Sequence, residues 1–507
     1  MNPSGPEKKP GRISRRDFLK LGLLMIAMTG CKPIIQTLTP IAEASRTPTI
    51  FPTIPPTLTP TSTETPTPAP PMIEVDGLQI PDPKASNPEL FDLTSPDSPI
   101  VQFANAFGVT PEEVGNLTPQ LKTGIDGKQF VVLTISDLPS TANYNGAGLP
   151  LLIAEQGENG EWKWSEASGS SILNRREIES GVLIEWYRAE NNPRYLKNII
   201  EDYNHISLNI EFVWKYLYPN GPKMDDYDLK KIDAALNFAK TNDLTVDLEG
   251  LTWGLREQLP DWLVKGNYNK DELTQIMTNH IKAIITKYKG RFERVNIVSE
   301  PFGNIWESSF WSDKLGVDNY IQTAFRTARE SDPNAILTIV DINDSDQLFN
   351  LVKRLNDQEQ AEKNRQLINA VGWEMPFFLP GSNTNVADYL KPENRINALE
   401  KFRQNIRKYH EIGVEVYITE SFIDLTDVPG TPEEKLIFQG ELIKDIQRIC
   451  IEEGVSFTTY SYYDDPTIYP QGTGRSNANP YLRDSQYNPK PAYYYWLDAI
   501  TNTPIPN

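Results

Sequence analysis

Two glutamates stand at the ends of apolar stretches that alternate in the manner of β-strands. Glu300 ends "RVNIVSE" and is followed by proline, and Glu420 ends "VEVYITE". Asp341 and Glu374 end two similar stretches, and Asp464 follows a third. A single acid in such a place is usually a solvated or salt-bridged rim residue, whereas several acids at one edge suit a cationic transition state. Glu300 and Glu420 together predict glycoside hydrolysis, in which one carboxyl group protonates the leaving oxygen and the other attacks the anomeric carbon or activates water.

From about residue 181 to residue 500, strand patterns alternate with helical patterns. The clearest helical pattern, "KDELTQIMTNHIKAIITKYKG", repeats apolar residues at helical spacing and ends in glycine. This alternation predicts right-handed βαβ units. Eight units favour a closed (β/α)8 TIM barrel over an open doubly wound sheet, and active sites of such barrels lie at the carboxyl ends of the strands. The strand patterns are "GVLIEW", "HISLNIEFVW", "LTVDLEGLTW", "RVNIVSE", "AILTIVD", "INAVGWE", "VEVYITE" and "VSFTTYSYY".

Several segments share their order and spacing with the motifs of one enzyme family. They are "HIKAIITKYKGRFERVNIVSEPF", "QLPDWL", "VYITE", "PTIYPQGTG…YLRD" and "YNPKPAYY". Together they resemble the family 10 glycoside hydrolases, the endo-β-1,4-xylanases, over about residues 171–500. The resemblance implies that Glu300 is the general acid/base and Glu420 the nucleophile of a retaining mechanism, with carboxyl groups about 5–5.5 Å apart. It also matches Asp464 to an acid that follows the family's eighth strand.

The sequence departs from the family at residues that would grip the sugar beside the cleaved bond. Ser299 replaces the asparagine before the acid/base, and Glu374 begins the segment that replaces Gln-x-His after strand six. After strand two, Asn209 and Ile210 replace Glu-Asn, and the histidine after strand three has no counterpart. Because a site that hydrogen-bonds a particular hydroxyl pattern discriminates strongly, these changes bear on the substrate more than on the reaction type.

Aromatic residues near the strand ends are candidates for stacking on sugar rings. Trp306 and Trp373 are the preferred platforms because they lie close to predicted strand ends, whereas Trp214 and His280 are expected to be structural. The predicted substrate-binding residues are Ser299, Asn209, Trp253, Trp306, Trp373, Glu374, Tyr460 and Asp464.

Three functions fit these residues. The leading hypothesis is a retaining glycoside hydrolase that cleaves internal β-1,4 linkages of a xylan-like plant polysaccharide. One alternative is a glycosidase of the same barrel class with specificity for another β-glycan. The other is a non-catalytic barrel that captures glycans at the cell surface, and the presence of both Glu300 and Glu420 argues against it.

The N-terminal segments resemble targeting and linker sequences. "SRRDFLK" at residues 14–20 resembles a twin-arginine export signal, and the apolar run before Cys31 resembles a bacterial lipoprotein signal. Residues 1–30 would then be the signal and Cys31 the site of lipidation. Residues 31–72 form a Thr/Pro-rich linker of the kind that makes an extended stalk. These features predict a bacterial protein that is exported and is either membrane-anchored on the extracytoplasmic face or secreted.

Residues 73–170 predict a small α+β appendage in front of the barrel, which spans residues 171–502. The segment has a helix, a Thr-Pro-Glu-Glu helix start, a strand and a hairpin with its turn at "GENG". It faintly resembles LysM modules, which bind amino-sugar polymers. The simpler interpretation, which we prefer, is an appendage that caps the amino end of the barrel.

The net charge and composition of the chain limit the kinds of partner that we expect. The 507 residues carry a formal charge of -19, which argues against nucleic acid and anionic lipid. A polysaccharide substrate is the expected partner, membrane contact is expected only through the lipid at Cys31, and we expect a monomer. With three histidines and two cysteines, neither a metal site nor a cofactor is predicted. Cys450 lies on an apolar helical face and is expected to be a core residue.

Overall fold

The computed structural model describes most of the appendage and the barrel. The signal, Cys31 and most of the linker lie outside the described residues, and so does Trp306. The described residues are 70–125, 127–135, 148–157, 159–221, 227–303, 307–342, 345–374, 386–464 and 479–506.

The appendage contains a two-stranded hairpin and a four-stranded antiparallel sheet. The predicted turn at "GENG" joins the last two strands, where the Gly157 N–H donates to the Glu161 carbonyl (2.8 Å). The predicted helix start is also confirmed, since the Glu113 carboxylate accepts the Thr110 N–H (2.7 Å). The elements are β1 (Met72–Val75), β2 (Leu78–Pro81), α1 (Pro83–Ser86), α2 (Pro99–Phe107), β3 (Leu117–Thr123), β4 (Gln129–Ile135), β5 (Leu149–Gln156) and β6 (Trp162–Glu166), with 3-10 turns at Pro88–Phe91 and Pro111–Glu113.

The appendage packs along the last helix of the chain, Pro491–Asn502. At the start of that helix, the ring of Phe103 lies 4.9 Å from the ring of Tyr494. At its end, the Lys122 ammonium group donates to the Asn502 side chain (2.6 Å). These contacts place the apolar face of α2 against the last helix, while the Ile125 N–H donates to the Arg175 carbonyl (2.9 Å) of the helix Gly169–Arg176, which comes before the first barrel strand. The cap over the amino end of the barrel stays a prediction.

Eight parallel strands close into a barrel, which confirms the predicted (β/α)8 fold. The last barrel strand pairs with the first through Thr458 and Gly181. A two-residue strand, Thr252–Trp253, follows the third barrel strand and pairs with the fourth. The strands are β7 (Ser180–Ile184), β8 (His205–Leu208), β9 (Thr245–Leu248), β10 (Thr252–Trp253), β11 (Arg294–Ser299), β12 (Ile336–Asp341), β13 (Ala370–Glu374), β14 (Glu415–Glu420) and β15 (Ser456–Thr459).

Helices surround this sheet, and none within the described residues is long and apolar enough to cross a membrane. The predicted long helix begins at a capping box, in which Asn269 and Glu272 each accept the other's backbone N–H (3.0 and 2.8 Å). The helices are α3 (Gly169–Arg176), α4 (Trp186–Ala189), α5 (Pro193–Asp202), α6 (Trp214–Leu217), α7 (Lys230–Thr241), α8 (Asp261–Val264), α9 (Lys270–Lys287), α10 (Phe310–Leu315), α11 (Val317–Ser331), α12 (Asp346–Lys363), α13 (Pro392–His410), α14 (Pro432–Glu452) and α15 (Pro491–Asn502), with 3-10 turns at Ile210–Phe212, Arg256–Gln258 and Val386–Leu390.

Charged side chains fill the amino-terminal half of the barrel interior. Arg294 opens β11 and donates from Nε to Asp247 Oδ2 (2.8 Å), and its guanidinium group also pairs with Glu179. His205 Nε2 lies 3.2 Å from the same oxygen of Asp247. Burial opposes ionisation of Asp247, but Arg294 and His205 outweigh it and hold its pKa below the usual range. We call Glu179, His205, Asp247 and Arg294 the floor network.

Small and aromatic residues make room for this network. A Cβ on Gly181 would lie 2.6 Å from the His205 ring, so only glycine lets that ring turn inward. The Arg294 guanidinium group lies over the Tyr417 ring (4.7 Å), and the Tyr417 hydroxyl hydrogen-bonds to Thr338 (2.7 Å). Gly372 leaves the space that the Tyr417 ring occupies. Side chains from five of the strands are thereby linked across the interior.

We predict that Asp247→Asn lowers the free energy of unfolding by about 3–5 kcal/mol, because it leaves Arg294 and His205 short of a counter-charge inside the barrel. Urea unfolding followed by tryptophan fluorescence measures the change. The matched control is Asp357→Asn, which breaks an exposed pair with Lys353 (2.5 Å) and should cause no measurable change. An equal effect of the two substitutions would contradict a structural role for the floor network.

Candidate active site

Glu300 follows β11 directly and is held in an unusual backbone conformation. Its φ is +47°, in the left-handed region that residues other than glycine rarely adopt. The Glu300 N–H donates to the Val340 carbonyl, and the Glu300 carbonyl accepts the Gly303 N–H, both at 2.9 Å. Pro301 disfavours the helical region for the residue before it. The side chain is only 1% exposed, so a strained turn sets a buried carboxyl group at the strand end.

A β-bulge in β11 comes just before this turn. The register between β11 and β12 shifts between Asn296 and Val298. The Asn296 side chain bridges the irregular stretch, because its oxygen accepts the Ser299 hydroxyl (2.6 Å) and the Gly250 N–H (2.8 Å) while its nitrogen donates to the Val298 carbonyl (3.0 Å). The only O–H donor of Ser299 is therefore used inside the protein. Its side chain can accept a hydrogen bond from a sugar hydroxyl but cannot donate one. Asn296 was missed from the sequence, where it reads as an ordinary residue of a strand.

Glu420 ends β14 beside Glu374, which ends β13. The two are partners in the parallel ladder, and the register shifts at the step from Trp373 to Glu374. Glu420 is 6% exposed and Glu374 is 5% exposed. Asp341, at the end of β12, is also mostly buried, at 8%. The predicted acids thus line one rim of the barrel, as the strand pattern indicated.

A further buried acid, Glu249, follows β9 and was missed from the sequence. It is 3% exposed. Burial raises the pKa of Glu249 well above its usual range, and the negative charges of Asp247 and Glu420 add to the effect. The signal was present, since Glu249 ends the apolar stretch "LTVDLE" in the same way that Glu300 and Glu420 end theirs.

Asn209 and Ser299 meet above Gly250. A Cβ built on Gly250 would lie 4.0 Å from the Asn209 amide nitrogen and 3.9 Å from the Ser299 hydroxyl. Gly250 has a φ of +76°, which lets the chain turn after β9 without a side chain between these polar groups. The structure therefore brings two predicted substrate-binding residues together next to the acids.

Trp253 lies close to the same strand ends. It packs with Val213 and Leu255 in a small cluster outside the main core, and it is 8% exposed. Its indole N–H has no hydrogen-bond partner within the described residues. Trp253 therefore stays a candidate for sugar binding.

Trp373 is not a stacking platform, which corrects the prediction. It is 1% exposed, and its ring lies 6.0 Å from Phe402 and 5.8 Å from Tyr409 on helix α13. The alternation of side chains along β13 turns it toward the helix layer and away from the barrel mouth. Trp306, the other preferred platform, lies outside the described residues.

Asp464 makes structural contacts, and its part in substrate binding stays a prediction. Its carboxylate accepts the Lys490 ammonium group (2.7 Å) and the Tyr481 N–H (2.9 Å), and it is 10% exposed. Lys490 belongs to "YNPKPAYY", so this ion pair fastens the loop after β15 to the start of α15. Tyr460 is half-buried, with its ring 6.3 Å from Phe422, and it keeps some surface for a ligand.

Trp214 and His280 are structural residues, as expected. The Trp214 indole donates to the Leu251 carbonyl (2.7 Å), and its ring lies 4.1 Å from the His280 ring. Burial lowers the pKa of His280 to about 3, so the ring is neutral. Cys450 is buried on α14, as the sequence predicted, and burial raises the pKa of its thiol.

Taken together, the rim offers several buried carboxyl groups, one amide and one hydroxyl. Within the described residues, no group of three or more histidine, cysteine, aspartate or glutamate side chains is arranged to hold a metal ion. Several buried carboxyl groups at one rim of a barrel suit acid/base and nucleophilic chemistry on a sugar.

Comparisons with known proteins agree with this chemistry. Endo-1,4-beta-xylanase B of Thermotoga neapolitana is 25% identical over 310 residues, which cover 59% of this chain and 82% of that protein. Endo-1,4-beta-xylanase of Agaricus bisporus is 28% identical over 310 residues, covering 59% of this chain and 83% of that protein. The crystal structure of native xylanase 10B from Thermotoga maritima shares the fold, with a TM-score of 0.54 and 24% identity over 66% of this chain and 98% of that chain.

The family described as glycosyl hydrolase family 10 matches residues 170–499. That match spans the whole barrel, from helix α3 to the last helix, and takes in every acid at the rim. The chain is therefore a glycosidase and belongs to glycosyl hydrolase family 10.

Proposed function

We propose that this protein is a retaining glycoside hydrolase that cleaves internal β-1,4 linkages of a xylan-like polysaccharide. The observation that carries the proposal is the pair of buried acids, Glu300 and Glu420, at the ends of the fourth and seventh strands of a family 10 barrel. Strands four and seven lie three positions apart around an eight-stranded ring, so the acids at their ends can flank one sugar.

In the proposed mechanism, the two acids divide the work. Glu300 donates a proton to the oxygen of the leaving sugar while Glu420 attacks the anomeric carbon and forms a covalent glycosyl ester. Glu300 then removes a proton from water, which displaces Glu420 and restores both side chains. The strained turn at Glu300 supports its role, because a carboxyl group that must face one oxygen gains from a backbone that cannot relax.

The substrate assignment rests on the relatives, which are named endo-1,4-beta-xylanases. The polar groups beside the acids are Asn209, Ser299 and Glu374, which differ from those that the family pattern supplies. A glycosidase directed at another β-glycan is therefore the second candidate, because buried polar groups reject sugars whose hydroxyls do not match them.

We predict that Glu300→Gln reduces kcat on xylan by about 10²–10⁴-fold, the usual contribution of a general acid. Glu420→Gln should lose at least as much, because no covalent ester can form. On an aryl β-glycoside whose leaving group needs no proton, Glu300→Gln should still form the glycosyl ester. It should therefore release the phenol in an initial burst.

The control for both variants is Glu415→Gln, an exposed glutamate at the other end of the same strand as Glu420. It should keep the activity of the unmodified protein on xylan, mixed-linkage glucan and aryl glycosides. Equal activity in all four proteins would refute the catalytic assignment. Binding of xylan without turnover by the unmodified protein would favour a glycan-capturing barrel, and turnover of mixed-linkage glucan alone would favour the second candidate.

The stereochemistry of the product tests the mechanism separately. We predict that proton NMR of the first minutes of xylan hydrolysis shows the β-anomer at the new reducing end, because two displacements at one carbon restore its configuration. Early appearance of the α-anomer would show a single displacement by water and would exclude Glu420 as a nucleophile.

We also propose that the protein is an exported bacterial lipoprotein that acts as a monomer outside the cytoplasm. The twin-arginine motif, Cys31 and the Thr/Pro-rich linker support this, because together they would tether the barrel at a distance from a membrane. We predict that Cys31→Ser releases the protein from the membrane fraction of expressing bacteria. Arg15→Lys with Arg16→Lys should instead keep it in the cytoplasm, and an unchanged membrane fraction for Cys31→Ser would contradict lipidation at this residue.

A further inference from the structure

We propose that a side pocket around Glu211, at the same rim of the barrel as the acids, binds one neutral pentose ring that branches from the substrate. This inference rests on the proposed function, because it assumes that a xylan-like polysaccharide lies across Glu300 and Glu420. It names a substrate class for that function, a xylan with neutral sugar branches.

The side pocket lies at the carboxyl ends of the first two barrel strands. Tyr187 belongs to helix α4, which follows β7, and Glu211 belongs to the 3-10 turn that follows β8. Helix α6 and the residues at the start of helix α7 form the other side. The lining residues are Tyr187, Ile210, Glu211, Tyr216, Asp228 and Lys231.

Two of the lining residues connect the side pocket with the candidate active site. Ile210 and Tyr216 pack against the small cluster that contains Trp253. Trp253 is the partner of Ser299 in the parallel ladder, and Ser299 directly precedes Glu300. The side pocket therefore borders the part of the rim that carries the proposed acid/base.

A buried carboxyl group supplies the polar part of the pocket. Glu211 is 7% exposed. Its Oε1 atom accepts the Trp186 N–H (2.7 Å), whereas its Oε2 atom has no hydrogen-bond partner within the described residues. Burial raises the pKa of Glu211 to about 8, so at neutral pH the group mostly holds a proton that it can donate. A sugar hydroxyl in the pocket would supply the partner that the protein does not.

The walls of the pocket are aromatic and apolar. Tyr187, Ile210 and Tyr216 are half-buried and line the pocket around Glu211. Apolar and aromatic walls with a few placed polar groups are the usual composition of small-molecule sites. This combination suits a sugar ring, which has apolar faces and hydroxyl groups at its edge.

The charges of the lining residues favour a neutral ring. Asp228 and Lys231 are exposed and have opposite charges, and Glu211 is neutral while it holds its proton. A uronic acid would bring a second negative charge beside Asp228, with only Lys231 to balance the two. A neutral sugar meets no such repulsion.

The size of the pocket favours a branch over a unit of the main chain. Its volume is about 170 Å³, and a cavity of about 150 Å³ can hold benzene, so there is room for one ring. A chain that is cut at internal linkages continues on both sides of the acids and needs an open cleft. A pocket for a single ring suits a sugar that ends there.

The test uses arabinoxylan before and after enzymatic removal of its arabinofuranosyl branches, so that the two polymers differ only in the branches. Binding is measured by isothermal titration calorimetry with the full chain carrying Glu300→Gln, which should cleave both polymers slowly. We expect the branched polymer to bind about 10-fold more tightly, the contribution of one hydrogen bond and one enclosed ring.

Substitutions in the pocket should remove this preference. Glu211→Leu loses the donor, so we expect it to bind both polymers with the affinity that the debranched polymer shows. Glu211→Gln keeps an acceptor for the Trp186 N–H and offers an N–H in place of the O–H, so it should retain most of the preference. If Glu211→Leu does not fold, Tyr187→Ala removes a wall of the pocket without touching that hydrogen bond and should lose the preference too. Glu415→Gln, at the other end of the barrel, is the control and should keep it.

Three results would overturn the proposal. Equal affinity for the two polymers in the protein with an intact pocket would mean that no branch is recognised. Equal weakening of both polymers by Glu211→Leu would mean that the pocket holds a unit of the main chain. Tighter binding of glucuronoxylan than of arabinoxylan would mean that the branch is acidic.

Turnover separates this inference from the proposed function. A protein that binds both polymers and hydrolyses neither would refute the function, while the calorimetry would still show whether the pocket recognises branches. A protein that hydrolyses both polymers and binds them equally well would overturn the inference alone.

Discussion

Compensation of charge inside the barrel is the constraint on which the rest of the structure depends. Eight strands enclose a space that barrels of this kind usually fill with branched apolar side chains. Here Glu179, His205, Asp247 and Arg294 occupy its amino-terminal half and neutralise one another. The interior is consequently stiff, because moving one of these side chains would leave another charge buried without a partner. The same network reaches the site, because the negative charge of Asp247 adds to the effect of burial in raising the pKa of Glu249 at the carboxyl rim.

The rim itself is shaped by departures from regular strand geometry. Register shifts occur near the end of β11, which carries Glu300, and at the end of β13, which pairs with the strand of Glu420. A bulge changes the direction in which the following side chains point. The Asn296 side chain hydrogen-bonds to the backbone at one of these irregular places. Shortly after it, Glu300 has a left-handed backbone conformation. The regular strand pairing in the rest of the barrel offsets the free-energy cost of this backbone strain.

Much of the family resemblance near the C-terminus belongs to structure and not to the site. Asp202 accepts hydrogen bonds from Arg483, Tyr462 and Tyr493, and Asp464 pairs with Lys490. These contacts fasten the segment after β15 to the first turn of the last helix. Closing the barrel requires that this helix cover the seam between the last strand and the first, so the motif "YNPKPAYY" reports on the fold more than on the substrate.

The sequence by itself determined the features that depend on local pattern. The alternation of strands and helices predicted the closed barrel, the capping residues predicted helix starts, and the acids at strand ends predicted where Glu300 and Glu420 would lie. The tertiary structure decided which way side chains face and which partners they find. Trp373 turned toward helix α13, Asp464 formed an ion pair with Lys490, and Glu249 joined the buried acids of the rim. Periodicity cannot reveal these outcomes, because a bulge reverses the inward and outward positions and because ion pairs join residues that are distant in the chain.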